Sequence, residues 1–126
     1  GLEAIHRCSA EGIRINTTRI FSPNQALLAA LAGAAFLSPF VGRLDDVSYD
    51  GMELVRQCVV LVETHNLPAR VLAASLRHPL HVTQAALAGA HIGTIPPSLI
   101  PQMLKHPLTD IGIGRFLDDA RKAGLI

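Results

Sequence analysis

The run IRINTTRIFSPNQALLAALAGA, Ile13–Ala34, changes its periodicity once, and that change decides the fold. Ile13–Phe21 is β-branched and alternates apolar with polar residues behind Gly12, the pattern of a strand entered from a helix end. Ser22 is a cap residue and Pro23 suits a first helical position, so Asn24–Ala32 reads as a helix, stopped at Gly33 by a residue that accepts positive φ. The closing AALAGA, Ala29–Ala34, recurs at Ala85–Ala90, and β-like runs follow both copies, FLSPF and HIGTIPP. Two readings are open: small residues used twice for the same hinge, or duplication of a two-unit block.

The alternation continues along the chain. Phe36–Val41 reads as a second strand, the polar GRLDDVSYDG as a loop, and about Met52–His65 as a helix with Val55, Val59, Val60 and Val62 on its apolar side. Arg70–Ser75 and Ile92–Pro96 read as the third and fourth strands, with helices near Leu80–Ala88, Leu99–Leu104 and Leu108–Ala123. Strands separated by helices pair in parallel through crossovers, which leaves an open doubly wound α/β sheet or a (β/α)8 TIM barrel. Neither G-x-G-x-x-G nor G-x-x-x-x-G-K-[ST] occurs, so a nucleotide-binding loop has no support. Polar residues instead mark the strands and their ends: Thr18 in the first, Arg43 after the second, Ser75 and Arg77 at the third, Thr94 in the fourth. Barrel sites are built at that edge, and the pattern favours a phosphate-binding barrel.

Charge narrows the partners. Eleven Lys and Arg against ten Asp and Glu give a net +1, so there is no basic field for nucleic acid or a membrane surface. With 49% apolar and 17% charged residues in 126, the chain has the profile of one compact domain. Cys8 and Cys58 fit neither a disulfide framework nor zinc spacing and read as reduced thiols of a cytoplasmic protein. The opening GLEAIHRCSAEG has no leader pattern, and no apolar run nears the roughly 20 residues of a membrane span.

NTTRIFSPNQALLAALAGAAFLSPFVGRLDD, Asn16–Asp46, resembles the fifth and sixth βα units of the transaldolases, whose pattern is close to N-x-T-x-[IL]-F-S and then S-P-[FY]-[VL]-[GN]-R-[LI]-D. Leu72–Asp119 is similar to the seventh and eighth units, particularly of the short bacterial transaldolases related to fructose-6-phosphate aldolase. The likeness covers about Gly1 to Asp119 with three motifs in order. It implies that Thr18 helps position the catalytic water, a task suited to a hydroxyl that donates and accepts. Asn16, on the same strand face, would lie near the substrate hydroxyls. Arg43, Ser75 and Arg77 match the family's phosphate cradle, where guanidinium forks grip a dianion. Phe40 stands where transaldolases have Phe and the aldolase branch has Tyr.

Plainer roles exist for the same residues. Thr18 and Asn16 also suit strand filler. Arg43 could pair with Asp45 or Asp46, which otherwise read as a loop and helix-cap feature. His78 and His81 lack a third ligand for a metal, and His81 reads as helix surface.

One departure is large. Transaldolases form a Schiff base between a lysine on the fourth strand and the ketose carbonyl, with residues of the first and third strands moving protons. Lys105 and Lys122 are the only lysines here, and both read as helical. On the resemblance, GLEAIH looks like the helix after the lysine-bearing strand. The expectation is therefore about four βα units, residues 1–126 forming the C-terminal half of one barrel domain, since a whole barrel takes at least about 200 residues. The activity implied is that of the pentose phosphate pathway transaldolase, which moves dihydroxyacetone from sedoheptulose 7-phosphate to glyceraldehyde 3-phosphate without a cofactor. A fructose-6-phosphate aldolase and an inactive phosphate-binding half-barrel are the alternatives. Sugar phosphates are the expected ligands. Exposed sheet edges and a concave apolar face imply a homo-oligomer or completion by an N-terminal half.

Overall fold

The protein is described by a computed structural model over residues 1–126. Its elements run α1 (Leu2–Ala10), β1 (Asn16–Ile20), α2 (Pro23–Leu31), β2 (Phe36–Pro39), α3 (Val41–Asp45), α4 (Gly51–Thr64), β3 (Arg70–Ala73), α5 (Pro79–Leu87), β4 (Ile92–Gly93), α6 (Leu99–Leu104) and α7 (Pro107–Lys122). The strands form one parallel sheet in the order β1-β2-β3-β4. Four parallel strands in chain order, separated by helices, are four βα units, half the complement of a (β/α)8 barrel.

Register divides the sheet into two faces. Thr17 pairs with Leu37 and Leu37 with Val71, while Asn16 pairs with Phe36 and Phe36 with Arg70. Leu37, Val71 and Ala73 lie on the helix-covered face and are essentially sealed. They meet Val55, Cys58, Val59 and Val62 of α4 and Ala26, Ala29 and Ala30 of α2 in one core cluster. The opposite face carries Asn16 and Arg70 beside Phe36 and Leu72, with the Arg14 guanidinium 4.7 Å from the Phe36 ring centre. That face is mixed where an apolar one was expected, because the register sets two polar side chains next to Phe36.

Val60 is 59% exposed, against the expectation that it shares the apolar side of its helix. Val55, Val59 and Val62 follow the i, i+4, i+7 spacing of one stripe, and Val60 lies a further 100° or so around the helix. The Cys58 thiol is sealed in the core, where burial pushes its pKa up to about 12. Both cysteines are free.

The repeated AALAGA has a backbone explanation. After α2, Ala34 N–H donates to Ala29 O and Gly33 N–H to Ala30 O; after α5, Ala90 donates to Ala85 and Gly89 to Ala86, all four bonds at 3.0 Å. This is the Schellman ending, with Gly33 at φ 102° and Gly89 at φ 84°. The same pair of bonds closes α1 through Gly12, α4 through Asn66 and α7 through Gly124, none of which carries the AALAGA sequence. Repeated use of one hinge therefore accounts for the repeat without duplication. Gly33 is needed for a second reason, because a Cβ there would lie 2.5 Å from Ser9 Oγ of α1.

Two local expectations change. The segment read as a loop after β2 begins with α3: Val41 N–H donates to Ala74 O and Gly42 N–H to Ser75 O, so the end of β3 satisfies the free donors of a helix start. The fourth strand is short, Ile92–Gly93, extended only by the Thr94 N–H bond to Ala73 O, and prolines at 96 and 97 carry no donor to prolong it.

Candidate functional site

The C-terminal ends of β2 and β3 lie side by side, joined by a bridge between Phe40 and Ala74. α3 starts at that edge, and Gly42 lets the following segment come close: a Cβ there would lie 2.5 Å from both Ser75 O and Arg77 Nε. Arg77 is thus laid across the start of α3. Its guanidinium holds Asp46 with two bonds, Nη1 to Oδ1 and Nη2 to Oδ2, the second at 2.6 Å. Arg43 Nη1 stands 3.9 Å from the same carboxylate. The hydrogen bond from Arg77 holds the Asp46 carboxyl below the ordinary range, and Asp46 in turn raises the Arg77 guanidinium. Asp46 is the pairing partner of Arg43, as one of the two plainer readings had it.

Asp45 does different work. Its Oδ1 accepts the Gly51 N–H at 3.0 Å, tying α3 to the first turn of α4, and its Oδ2 lies 3.0 Å from His81 Nε2. His81 is 7% exposed, a correction to its placement on a helix surface. The cause is tertiary: the imidazole fills the corner between α3 and the start of α5, where Nδ1 accepts the Arg77 N–H at 3.3 Å. His78 caps α5 through Nδ1, which accepts the His81 N–H at 3.3 Å, and the two rings lie 3.6 Å apart. Burial lowers the pKa of His81, with His78 and Arg77 adding to the effect and Asp45 opposing it.

The first strand contributes differently. Its register slips between Thr17 and Ile20, a bulge that returns Ile20 to the core and sets Arg19 at φ 54°. Arg19 thereby joins Phe21, Phe40 and Arg43 around a cavity of about 350 Å³. Phe21 and Phe40 meet edge to face, with ring centres 6.2 Å apart. Thr18 lines a separate cavity of about 290 Å³ with Leu2, Gln25 and Leu28. Asn16 lies on the open face, where its Oδ1 accepts a 2.6 Å bond from the sealed Ser38 hydroxyl.

The structure therefore brings Phe40, Arg43, Ser75 and Arg77 to one edge and leaves Thr18 and Asn16 along β1. Ser75 sits there at φ 60°, a left-handed conformation that costs about 1–3 kcal/mol in a non-glycine residue and clusters at functional sites. Sequence reasoning missed Ser38, Arg19 and the Asp45–His81 contact. Ser38 was findable by strand alternation with Phe36, and Arg19 as a lone guanidinium in a strand-like run. The Asp45–His81 contact spans two elements and left no local signal. Lys105 follows α6 and Lys122 ends α7, so neither stands on a strand. No three His, Cys, Asp or Glu side chains are grouped to hold a metal ion. No helix is long and apolar enough to cross a membrane.

Comparison with known proteins places this edge in context. The family model described as Transaldolase/Fructose-6-phosphate aldolase matches residues 1–124. A probable transaldolase of Thermus thermophilus is 61% identical over 122 residues, which are 97% of this chain and 55% of the relative. A probable transaldolase of Desulforudis audaxviator is 60% identical over 119 residues, 94% of this chain and 55% of its own length. One from Thermoanaerobacter is 54% identical over 125 residues, 99% of this chain and 58% of the relative. The chain spans a little over half the length of these curated relatives.

Proposed function

The chain belongs to the transaldolase/fructose-6-phosphate aldolase family, and from that premise we propose that residues 1–126 form the C-terminal half of one (β/α)8 barrel domain and carry the phosphate end of its active site. The observation that carries this reading is the meeting of Arg43, Ser75 and Arg77 at the C-terminal edge of β2 and β3. Two guanidiniums and a hydroxyl there suit the phosphate of a ketose or aldose phosphate through charge-assisted bonds. Phe40 closes the apolar wall beside Arg43. Asn16 offers its amide to sugar hydroxyl groups from the open face, with its Oδ1 oriented by the bond from the sealed Ser38 hydroxyl. The water-positioning role of Thr18 rests on the family motif, since its cavity is lined by Leu2, Gln25 and Leu28 and is separate from the one beside Phe40 and Arg43.

The reaction is transfer of dihydroxyacetone from sedoheptulose 7-phosphate to glyceraldehyde 3-phosphate in the cytoplasmic pentose phosphate pathway. The imine-forming lysine is supplied by a segment other than this one, since Lys105 and Lys122 are both off the strands. A homo-oligomer, or an N-terminal half completing the barrel, supplies the missing staves. Phe at position 40 favours transfer over free aldol cleavage, in line with the transaldolase side of the family pattern. An assay without an aldehyde acceptor separates the two, because the aldolase alone releases free dihydroxyacetone.

The direct test is borohydride reduction of the purified protein in the presence of fructose 6-phosphate, read by intact mass. A dihydroxyacetone-sized adduct on a species containing this sequence supports the proposal. Phosphate binding by a species that forms no adduct supports instead a half-barrel that has lost the chemistry, a reading favoured by the positions of the two lysines.

A further inference from the structure

We propose that His81 is a positioning residue for the phosphate cradle, and that its neutral imidazole holds the backbone of Arg77 in the binding arrangement while its protonation releases it. This rests on the phosphate reading of Arg43, Ser75 and Arg77. His81 touches no part of the cavity beside Arg43 and acts through others. Nδ1 accepts the Arg77 N–H, so that nitrogen carries no proton and Nε2 bears the hydrogen facing Asp45 Oδ2. One ring therefore links the arginine segment to α3, and Asp45 Oδ1 carries the link on to Gly51 of α4.

A second proton changes the geometry at one atom. It can only go to Nδ1, where an N–H would then face the Arg77 N–H, two donors with no acceptor between them. Either the ring turns away from Asp45 or the Arg77 backbone moves, and in both cases Arg77 and the neighbouring Ser75 lose their fixed relation to Gly42. The charged and titratable groups that act on the imidazole are Asp45 from α3, and His78 and Arg77 from the segment ahead of α5. Asp46, which holds the Arg77 side chain, lies next to Asp45 in the same turn. His78 and Arg77 oppose a positive charge on His81 and Asp45 favours it, while burial opposes it most, so the neutral form is the one held at neutral pH.

Sulfate is the probe of choice, because it stays a dianion through the whole range in which histidine titrates. Its affinity for the full-length protein is measured by titration calorimetry from about pH 7.5 to about pH 5, where a histidine changes charge. For the unaltered sequence, affinity is expected to fall about three- to tenfold as the pH drops, the equivalent of one lost backbone hydrogen bond. His81→Asn keeps an acceptor where Nδ1 stood and cannot titrate; it should restore most of the neutral-pH affinity and flatten the pH profile. His81→Ala removes the acceptor and should bind weakly at every pH. His78→Asn keeps the helix cap but removes a group that opposes the charge on His81, so the fall in affinity should remain and begin at a higher pH. Full sulfate affinity and an unaltered profile in His81→Ala would overturn the positioning role while leaving the phosphate reading intact. A profile abolished by His78→Asn and kept by His81→Asn would also overturn it. Absence of sulfate binding in the unaltered sequence at all pH values overturns the phosphate reading itself, and with it this one.

Discussion

The Asp46 carboxylate accepts both arms of the Arg77 guanidinium, 31 residues further along the chain. A carboxylate and a phosphate present similar pairs of oxygens to such a fork. Asp46 thus occupies one edge of the guanidinium and aligns Arg77 between the two strand ends, and the remaining N–H donors are those left for an anion. A bidentate fork is the property that lysine cannot reproduce. Arg77→Lys should weaken sulfate or fructose 6-phosphate binding by about tenfold, the scale of one charged hydrogen bond, with little change in melting temperature. Calorimetric titration alongside thermal unfolding checks this, and unchanged affinity would remove Arg77 from the cradle.

Gly42 sets how close Arg77 can lie. An added methyl would meet the Ser75 carbonyl and Arg77 Nε together, and only the arginine end can give way. Gly42→Ala should cost about 1–3 kcal/mol in stability, as overpacking does, and should also displace the cradle. If a folded Gly42→Ala protein binds sulfate as tightly as the parent, the close approach has no bearing on the site.

Much of this architecture was legible along the chain, for reasons that are local. Ser22 accepts the Gln25 N–H and Pro23 opens α2, and Gly33 takes positive φ behind it, all as the residue types dictate. Arg43, Ser75 and Arg77 were visible as a set through the family motifs. α3 was not, because its free N–H groups are satisfied by carbonyls at the end of β3, a partner no local pattern reveals. His81 was misplaced for the same reason: its burial is created by Asp45 and the Arg77 backbone. Val60 failed because four valines in α4 span more of the helix circumference than one sheet can cover.

The acid limb of stability has two parts. His81 has a pKa below its unfolded value of 6.5, so the unfolded chain takes up the proton first. Its contribution is fully present above about pH 6.5 and declines as the pH falls from there toward the native pKa. Asp46 is lowered from 3.8, so its contribution is present above that value and lost as the pH falls through the native pKa. Because Asp46 and Arg77 are solvent-exposed, the second loss should shrink in salt, while the first should persist. Melting temperature against pH at two salt concentrations tests this. A first limb unchanged in His81→Asn would reject the assignment.

Arg19 carries strain that glycine would relieve. At φ 54° it occupies the left-handed region, and its side chain lines the cavity shared with Phe40 and Arg43. Arg19→Gly should raise stability by up to about 1 kcal/mol, the strain relief being partly offset by glycine's greater freedom when unfolded. The same change removes a positive charge from the mouth of the site, so anion affinity should fall. A variant that gains stability and keeps its affinity would show that the bulge serves the backbone alone.

The two ends of the sheet lead to the last expectation. β1 and β4 are its outer strands, so each has one side without a strand partner. α7 buries none of its residues and exposes Leu108, Ile111, Ile113 and Phe116. Open strand edges template further pairing, and apolar side chains spread along an unburied helix favour association. Expressed on its own, residues 1–126 should therefore sediment as an oligomer, or fail to fold in isolation. Sedimentation velocity at micromolar concentration, with circular dichroism on the same sample, decides it: a well-folded monomer would mean that these edges are stable in water and that the chain needs no partner.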